Sequence, residues 1–442
     1  MKKIISLSVA LLMIFLCGCT VLDEQTSSIY DDTAAVDSLL AQIESDIRQR
    51  EANGEITVSV FEDEYIVNGD DDTVVKQPGK QNAVVDSDTQ NVTIDTIAPS
   101  KIDVSGTNPL YYEFLTEKQK EIYCYMKTAA DQMKTGYFSI GASSGEQNRF
   151  TDIAISYRAL LCDNPQIFWL SGTYMSSPDG SALAFSYAEK GLDYIMTPQQ
   201  KNTAQAQLDA AINDLVSRAN TLSNNFEKEL FFHDWLCKSI TYTDRGEYSD
   251  YTIYGALIEK KAVCEGYSRA MQILCNKANI PCTVVYGSSF GEGHMWNIAN
   301  PGDGWYHIDV TWDDDEDYNY IRHAYFNVND NEILKDHSIF EQVVPGKYYL
   351  SGDEFNIHKY TCELTTQNYF IKKKLIFTSD HSANAKLIKE ADRKGKNSLE
   401  VYYWSDDYVE FLNALNTTIA NSGSDIWIKD FSYLGGSLVV CW

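Results

Sequence analysis

The chain has little positive charge. Its 442 residues include 36 lysines and arginines against 63 aspartates and glutamates, which gives a formal net charge of −27 at pH 7. Nucleic acids and anionic membrane surfaces attract proteins through clustered lysine and arginine. The charge balance therefore argues against nucleic acid and against a polybasic membrane contact as partners.

Metal-binding sequence motifs are also missing. The sequence has no Cys-x-x-Cys pair and no His-Glu-x-x-His segment, so it gives little support to a zinc site, and we expect neither a metal nor an organic cofactor. An acidic run, Asp313 to Asp317, is similar to the start of a calcium loop. However, Tyr318 replaces the glycine expected at the sixth position and Ala324 the glutamate expected at the twelfth. We interpret the run as a solvated acidic turn, with adventitious calcium as the alternative.

The N-terminus carries a short apolar run. Lys2 and Lys3 precede the apolar residues from Ile4 to Leu16, a pattern typical of an export signal and too short to favour a permanent membrane span. The following Leu16-Cys17-Gly18-Cys19 resembles the bacterial lipobox, whose cysteine is diacylated and becomes the new N-terminus. The sequence thus predicts a signal peptide over residues 1–18.

Lipidation of Cys19 would anchor the exported protein to the outer side of the cytoplasmic membrane, or to another envelope membrane. Two acyl chains supply the double attachment that stable anchoring needs. Removal of residues 1–18, which contain two lysines and no carboxylates, would leave a net charge of −29. A plain cleaved signal or an uncleaved anchor is the alternative.

The ten cysteines show no disulfide framework. If Cys17 leaves with the signal, Cys19 carries lipid and Cys264 stays a thiol, seven remain, so complete pairing is impossible. Two possibilities are left: the chain could form up to three disulfides, or its remaining cysteines could be free buried thiols that act as small hydrophobic residues.

One segment contains a cysteine, a histidine and an aspartate in the order that suits a thiol nucleophile, its base and the group that orients the base. Cys264 opens a predicted helix whose apolar residues recur at steps of three and four. Unpaired amides and the positive end of the helix dipole favour a thiolate at that position, and the same amides could hold an oxyanion. A cysteine that stood alone there would more simply be a small buried residue.

A histidine and an aspartate follow on two strand-like runs. The runs are Gly293–Ile298 and Gly304–Val310, separated by the turn-forming residues Asn300–Asp303. A hairpin symmetric about this turn would place His294 directly opposite Asp309 on one face, with Cβ atoms about 5 Å apart. We therefore predict Cys264 as nucleophile, His294 as general base and acid, and Asp309 as the group that orients the histidine.

These residues also carry a family resemblance. The turn Val263-Cys264-Glu265-Gly266-Tyr267, the strand His294-Met295-Trp296-Asn297 and the run from Trp305 to Asp314 resemble the bacterial secreted branch of the transglutaminase-like superfamily. The resemblance implies an α+β fold with a papain-like core, and a catalytic cysteine, histidine and aspartate at Cys264, His294 and Asp309. It also implies thiol-dependent acyl transfer or hydrolysis at amide bonds of a protein or peptide substrate.

The resemblance leaves the reaction open, because the superfamily includes cross-linking enzymes, peptidases and peptide-glycan amidases. A cell-wall peptide cysteine peptidase is one alternative. A lipid-anchored binding or scaffold protein that keeps the fold without turnover is another. A serine hydrolase is disfavoured, because Gly287-Ser288-Ser289-Phe290-Gly291 fits the nucleophile-elbow pattern but leads into a predicted strand rather than a helix.

Several neighbouring residues receive structural interpretations. We interpret His307 as a packed histidine, and the adjacent His233 and Asp234 as structural, because successive helical side chains point apart. Tyr254 and Gly255 are expected to shape the approach to Cys264. Three tryptophans are expected to be core or cleft-wall residues: Trp296, Trp305 and Trp312.

A chain of this length has more residues than a single hydrophobic core usually organises, so its length predicts two or three domains. After the signal peptide, residues 19–108 are acidic and polar and predict a mostly disordered linker. Within it, a short helix is predicted near Ala34–Gln49 and a strand-like patch near Ile56–Val67. A small ordered domain is the alternative. The remaining predicted regions are a helical or mixed extension packed on the core (109–224), the transglutaminase-like catalytic core (225–331) and a small α+β domain (332–442).

Hydrophobic periodicity predicts the elements of these regions. The predicted helices are Tyr111–Met133, Gln199–Thr221, Glu227–Ser239, Ala383–Asp392 and Tyr408–Ile419. The predicted strands are Ile167–Leu170, Tyr369–Thr378, Leu399–Trp404 and Ser437–Trp442.

Overall fold

In the computed structural model, the described residues are 74–77, 81–85, 93–99, 101–102, 110–141, 149–170, 174–177, 179–185, 194–290, 292–314, 321–339, 360–403 and 408–442. The chain divides after Gly69 into two units, and every described element lies in the second. The predicted signal peptide, Cys19, and the helix and strand-like patch predicted between residues 34 and 67 lie outside the described residues. Among the helices of these ranges, none has both the length and the apolar character needed to cross a membrane.

The helices are numbered in chain order. They are α1 (Leu110–Phe114), α2 (Glu117–Asp131), α3 (Arg149–Asp163), α4 (Pro198–Ala219), α5 (Asn225–Ser239), α6 (Cys264–Lys277), α7 (Val310–Asp313), α8 (Asp330–Ile333), α9 (Tyr369–Lys373), α10 (His381–Arg393) and α11 (Tyr408–Asn421).

The strands are numbered in the same way. They are β1 (Val74–Gln77), β2 (Gln81–Val85), β3 (Phe138–Ser139), β4 (Tyr174–Ser176), β5 (Ala182–Ala184), β6 (Thr241–Tyr242), β7 (Lys261–Ala262), β8 (Cys282–Ser289), β9 (Glu292–Ala299), β10 (Tyr306–Ile308), β11 (Phe326–Val328), β12 (His337–Ile339), β13 (Ser398–Tyr402), β14 (Asp430–Leu434) and β15 (Ser437–Cys441).

A five-stranded antiparallel sheet forms the centre of the fold. Its strand order is β11-β10-β9-β8-β12, and α6 packs against β8 and β9. The apolar face of α6 is buried, as its periodicity predicts, and includes Ala270, Met271, Leu274 and Cys275. This helix-on-sheet arrangement confirms the predicted α+β fold class.

The region before the core combines helices with a second sheet, whose strand order is β1-β2-β4-β5-β3. Its strands β1 and β2 lie within the residues for which a mostly disordered linker was predicted. The single helix predicted over Tyr111–Met133 is divided at Thr116. This residue and Gln119 form a capping box that starts α2, because each side chain satisfies a backbone N–H of the other.

Hydrogen bonds join this region to the central helix and sheet. The Tyr111 hydroxyl donates to the Val284 carbonyl at 2.7 Å, and Arg269 of α6 donates to the Leu161 carbonyl at 2.8 Å. All of these groups are buried, and a buried polar group that lost its partner would cost free energy. The extension therefore supports the core through satisfied polar contacts as well as apolar packing. The strand predicted at Ile167–Leu170 is wrong: these residues are buried in turns.

The C-terminal region has a separate small hydrophobic core. Strands in the order β13-β15-β14 form its sheet, and α10 packs against α11 and β13. The strand predicted from Tyr369 is wrong at its start, because Asn368 caps α9 by accepting from the amides of Phe370 and Ile371. Asparagine is a strong N-cap residue, and this cap favours a helical turn over an extended strand.

Candidate active site

Cys264 is the first residue of α6. The preceding Val263 has extended backbone dihedrals and, being apolar, has no side-chain atom that can accept from the first amides of the helix. The amides of the first turn are therefore not capped by that side chain, and Cys264 itself is half-buried. The Ser268 hydroxyl lies 2.8 Å from the carbonyl oxygens of both Cys264 and Met295, so it ties the cysteine turn to strand β9.

His294 lies on β9, as predicted, but the strand register differs from the prediction. Strand β10 pairs with β9 so that His307 faces Ile298, which offsets the hairpin by two residues from the predicted pairing of His294 with Asp309. An offset of two residues preserves the face on which each side chain lies, because side chains alternate with a period of two. The two residues therefore still share a face, although they are not a directly opposed pair.

Asp309 lies just beyond β10, at the N-cap of α7, and not at the end of a strand as predicted. Its Oδ1 accepts from the amides of Thr311 at 3.0 Å and Trp312 at 3.2 Å. Its own amide donates to the Tyr325 carbonyl at 3.1 Å. The carboxylate is fully buried, and these backbone bonds fix the direction in which its second oxygen points.

The second carboxylate oxygen of Asp309, Oδ2, forms a hydrogen bond with His294. His294 Nε2 donates to Asp309 Oδ2 at 2.6 Å, a short distance typical of a hydrogen bond between charged groups. Since Nε2 is used by Asp309, Nδ1 is the ring nitrogen available to the Cys264 thiol, and the interaction with this thiol helps to raise the pKa of His294. The structure therefore brings all three predicted residues together.

The electrostatics of the pair favour an imidazolium. Burial alone would lower the pKa of His294, but the charge and hydrogen bond of Asp309, together with the contact to Cys264, outweigh burial and raise it to about 10. Burial would likewise raise the pKa of Asp309, but the charge of His294 and the hydrogen bonds to Asp309 hold that pKa well below its ordinary value. Near neutral pH, Asp309 is ionised and His294 is protonated.

A second histidine binds the same aspartate oxygen, and the sequence-based prediction missed it. His337 Nε2 donates to Asp309 Oδ2 at 3.0 Å, and its Nδ1 donates to Asp336 Oδ1 at 2.6 Å. Burial would lower the pKa of His337, but the bonds to these two carboxylates raise it. Because β12 is an edge strand paired with β8, a contact across the sheet places His337 there. No local spacing motif indicates it.

Aromatic side chains surround the histidine. The Trp296 ring stacks near His294 at a centroid distance of 6.0 Å, and Trp312 lies at 6.1 Å. Trp296 is fully buried, as expected of a core residue, whereas Trp312 is only partly buried. An exposed Phe290 packs edge-on against Trp312 at 5.0 Å.

The expectation that Tyr254 and Gly255 shape the approach to Cys264 stays a prediction, and the tyrosines of this region differ in their surroundings. Tyr254 stacks on Phe168 at 6.0 Å, which indicates a role in packing the N-terminal extension. Tyr242 and Tyr251 instead interact electrostatically with Cys264. Burial first, and then the charge of neighbouring acidic groups including this cysteine, raises the pKa of both hydroxyls. Both therefore stay protonated donors at neutral pH.

The structural role expected for His307 agrees with its surroundings. It is buried, its Nδ1 accepts from the Trp296 indole N–H at 3.0 Å, and its Nε2 donates to Asp330 at 2.8 Å. Since an indole nitrogen can only donate, Nδ1 must be the unprotonated nitrogen. Burial, which outweighs the bond to Asp330, lowers the pKa of this histidine.

The acidic turn is not solvated where it begins. Asp313 is fully buried and accepts from the Tyr325 amide at 3.1 Å and from His233 at 3.1 Å. Residues 315–320 lie outside the described part of the chain. The serine of the rejected elbow pattern, Ser289, ends β8, and β9 begins at Glu292, so a strand follows it and a helix does not.

Comparison with known proteins identifies the central region. Residues 213–310 match the model of the family described as the transglutaminase-like superfamily, and this range includes Cys264, His294 and Asp309. No curated protein matches the sequence.

Two solved structures are similar to parts of the chain. One, from Cytophaga hutchinsonii and named as a candidate cysteine protease, is 22% identical with a TM-score of 0.22; the match covers 24% of this chain and 38% of that one. Another, named as a TGase, is 19% identical with a TM-score of 0.25, covering 36% of this chain and 44% of that one. The chain spans less than half the length of either.

The motif-based family prediction is therefore confirmed: the chain contains a domain of the transglutaminase-like superfamily, built on α6 and the central antiparallel sheet.

Proposed function

We propose that the protein is a thiol enzyme that cleaves amide bonds of protein or peptide substrates and transfers the acyl group to an amine or to water. One observation carries the proposal. His294 Nε2 lies 2.6 Å from the buried Asp309 carboxylate while the ring also interacts with the Cys264 thiol at the start of α6. A nucleophile, its acid and base, and the group that orients the histidine would thus act together.

The reaction would begin with the Cys264 thiolate and the His294 imidazolium. The sulfur attacks the amide carbonyl carbon, and the first amides of α6 stabilise the oxyanion. His294 then gives its proton to the nitrogen as the carbon–nitrogen bond breaks, the amine leaves, and a thioester to Cys264 remains. An incoming amine or water loses a proton to His294, attacks the thioester, and releases the thiolate.

Asp309 performs two tasks in this scheme. It holds the His294 ring so that Nδ1 faces the sulfur, and its negative charge stabilises the imidazolium. Its own orientation is fixed by two amides and by His337. A preorganised carboxylate of this kind costs little reorganisation during the reaction.

The location of the enzyme is also a proposal. A lipid anchor at Cys19 would hold the protein on the outer side of an envelope membrane, with protein or peptide substrates in the extracytoplasmic space. Palmitate labelling of cells that produce the protein tests this, with Cys19→Ser as the variant that should lose the label.

Acyl transfer is tested with the purified protein, a glutamine-containing protein and a fluorescent primary amine, in parallel with hydrolysis of amide-linked peptide stems. Cys264→Ala should abolish either activity. His294→Ala should lower it by at least about a hundredfold, in the range that general acid–base catalysis contributes. Cys441→Ser is the matched control, because Cys441 is a half-buried free thiol on β15 of the C-terminal sheet.

Iodoacetamide alkylation provides a readout that needs no substrate. If Cys264 and His294 form an ion pair, Cys264 should react well below the pH at which Cys441 reacts, and His294→Ala should abolish the difference. Equal alkylation rates for the two thiols, unchanged by His294→Ala, would refute the catalytic proposal and favour a scaffold.

A further inference from the structure

A second histidine and carboxylate cluster lies outside the active site, where the core meets the C-terminal sheet. His233 and Asp234 are consecutive residues of α5, and His323 lies just before β11. Asp234 Oδ1 lies 3.2 Å from His233 Nδ1 and 3.1 Å from His323 Nε2. Although successive helical residues were expected to point apart, both side chains of the pair contribute to one cluster.

The opposite nitrogen of each ring faces a different carboxylate. His233 Nε2 lies 3.1 Å from Asp313 Oδ2, and His323 Nδ1 lies 2.9 Å from Glu400 Oε2. Metal-binding histidines usually donate their second ring N–H to a carboxylate, which fixes the tautomer and the ring orientation. Both imidazoles here have this outer partner. The ring nitrogens that hydrogen-bond to Asp234 would each release a proton when an ion binds.

The inner atoms have a separation that suits a small metal ion. One ligand atom from each of His233, Asp234 and His323 lies within 4.8 Å of the other two. Ligands of a tetrahedral zinc ion at bond lengths of about 2.0–2.1 Å lie about 3.3 Å apart, close to the two nitrogen–oxygen distances found here. Two imidazoles and one carboxylate are a ligand set that divalent transition metals use.

The cluster opens into a cleft. Asp234, His323 and Glu400 line a cleft of about 980 Å³ between the core and the C-terminal sheet. His233 is fully buried and His323 nearly so, whereas the Asp234 side chain is 31% exposed. The stacking of Tyr369 on His323 at 3.8 Å holds the second imidazole in place. An ion could therefore enter from the cleft, and a water molecule there could supply the fourth ligand.

Two other histidine clusters of the described residues do not share these properties. In one, His307 Nε2 must carry the proton, because Nδ1 accepts from Trp296, so it has no lone pair for a metal. In the other, His294, Asp309 and His337 belong to the proposed active site.

We propose that His233, Asp234 and His323 bind a divalent transition metal ion of the zinc class, which joins α5 to the segment that carries His323. Through Glu400, the site would also connect the core with strand β13. The ion would serve as a structural link between the core and the C-terminal region, separate from the thiol chemistry.

The test uses the purified full-length protein, stripped with a chelator and then supplied with Zn²⁺. After gel filtration we expect elemental analysis to find zinc in a one-to-one ratio with the chain, and we expect zinc to raise the unfolding temperature. Asp234→Asn and His323→Ala should weaken zinc binding by about tenfold or more. Circular dichroism verifies that each variant is folded, and Asp234→Asn keeps the size of the side chain.

Two controls locate the ion. His381→Ala removes a histidine of α10 outside the cluster and should retain zinc like the wild type, and Cys264→Ala should also retain it. Substitution with Co²⁺ should give the visible absorption of a four-coordinate site with nitrogen and oxygen ligands. Three results would each overturn the proposal: wild-type protein that retains no zinc, folded Asp234→Asn and His323→Ala that bind it as tightly as the wild type, or loss of binding in Cys264→Ala.

Discussion

Asp309 shows how much of the active site depends on one side chain. Its two oxygens accept four hydrogen bonds, from two amides of α7 and from two imidazoles. Each bond favours the ionised carboxylate, and the ionised carboxylate in turn favours protonated His294. A change at Asp309 should therefore alter the pH dependence of the thiol chemistry as well as its rate.

Asp309→Asn should move the alkaline limit of activity to lower pH. The form of His294 that donates a proton exists below its pKa, so in the wild type it is present below about pH 10 and lost as the pH rises through that value. Asparagine carries no charge, and the pKa of His294 should then fall toward its ordinary value of about 6.5.

The His294 ring-proton resonance, followed by NMR against pH, measures this change without a substrate, and the pH profile of kcat/KM measures its effect on activity. His381→Ala should leave the His294 titration in place. A His294 titration near pH 10 in folded Asp309→Asn would contradict the assigned role of the carboxylate.

His337→Phe should reduce kcat/KM by roughly tenfold to a hundredfold, because a hydrogen bond to a charged group contributes about 1.5–3 kcal/mol. The acid limit of activity should also move upward, since the bond from His337 helps to keep the pKa of Asp309 low. His337→Gln, which retains an N–H donor, should recover part of the activity. If phenylalanine and glutamine had equal effects, with no change in the acid limit, His337 would be only a packing residue.

At the scale of elements, the active site depends on how three strands lie beside one another. Strand β8 is between β9, which carries His294, and β12, which carries His337. Gly287 is the residue of β8 that pairs with His294 on one side and with Ile339 on the other. A side chain at this position would meet the Ser338 carbonyl, and it would lie 2.6 Å from the Trp296 ring.

Gly287→Ala should therefore destabilise the fold by about 1–3 kcal/mol, the usual cost of an overpacked interior, and should lower activity by displacing β12. Urea denaturation followed by tryptophan fluorescence measures the free energy of unfolding. Ser288→Ala, one residue further along the same strand, is the control and should stay within about 0.5 kcal/mol of the wild type. An equally stable Gly287→Ala protein would show that β12 can shift without cost.

At the scale of the whole molecule, the C-terminal sheet supports the segment that leads to the active site. Arg322 is buried and donates to the Ser432 hydroxyl at 2.8 Å and to the Ser437 carbonyl at 3.1 Å. Three residues later, the Tyr325 carbonyl accepts from the Asp309 amide, and the Tyr325 hydroxyl donates to Asp336 at 2.6 Å. Through Arg322 and Tyr325, the C-terminal sheet is thus connected to Asp309 and to Asp336, which binds His337.

Arg322→Leu should lower the free energy of unfolding by about 1.5–3 kcal/mol, because the variant leaves the buried Ser437 carbonyl without this charged donor. Chemical denaturation measures the change. Arg218→Leu is the control: Arg218 forms an exposed ion pair with Asp214, and such pairs contribute less than about 1 kcal/mol. Similar losses for the two variants would show that the contact of Arg322 with the C-terminal sheet adds no stability beyond that of a surface ion pair.

The local parts of this protein follow from its sequence. The apolar spacing after Cys264 predicts α6, and alternation along β9 and β10 predicts that His294 and Asp309 share a face. Both predictions depend on residues that are close together in the chain. The predicted register was wrong by two residues, but His294 and Asp309 still share a face because side chains alternate with a period of two. Periodicity does not predict the divided helix at Thr116 or the short helix after Asn368, because side-chain caps at these two residues set both boundaries.

Only the tertiary structure decides the contacts between distant segments. His337 reaches Asp309 because β12 returns to the edge of the central sheet, and His323 reaches Asp234 across 89 residues of chain. Periodicity reports which way a side chain points along its own element, whereas it carries no information about which elements become neighbours. The sequence therefore determined the thiol, the imidazole and the carboxylate, while packing between elements decided what surrounds them.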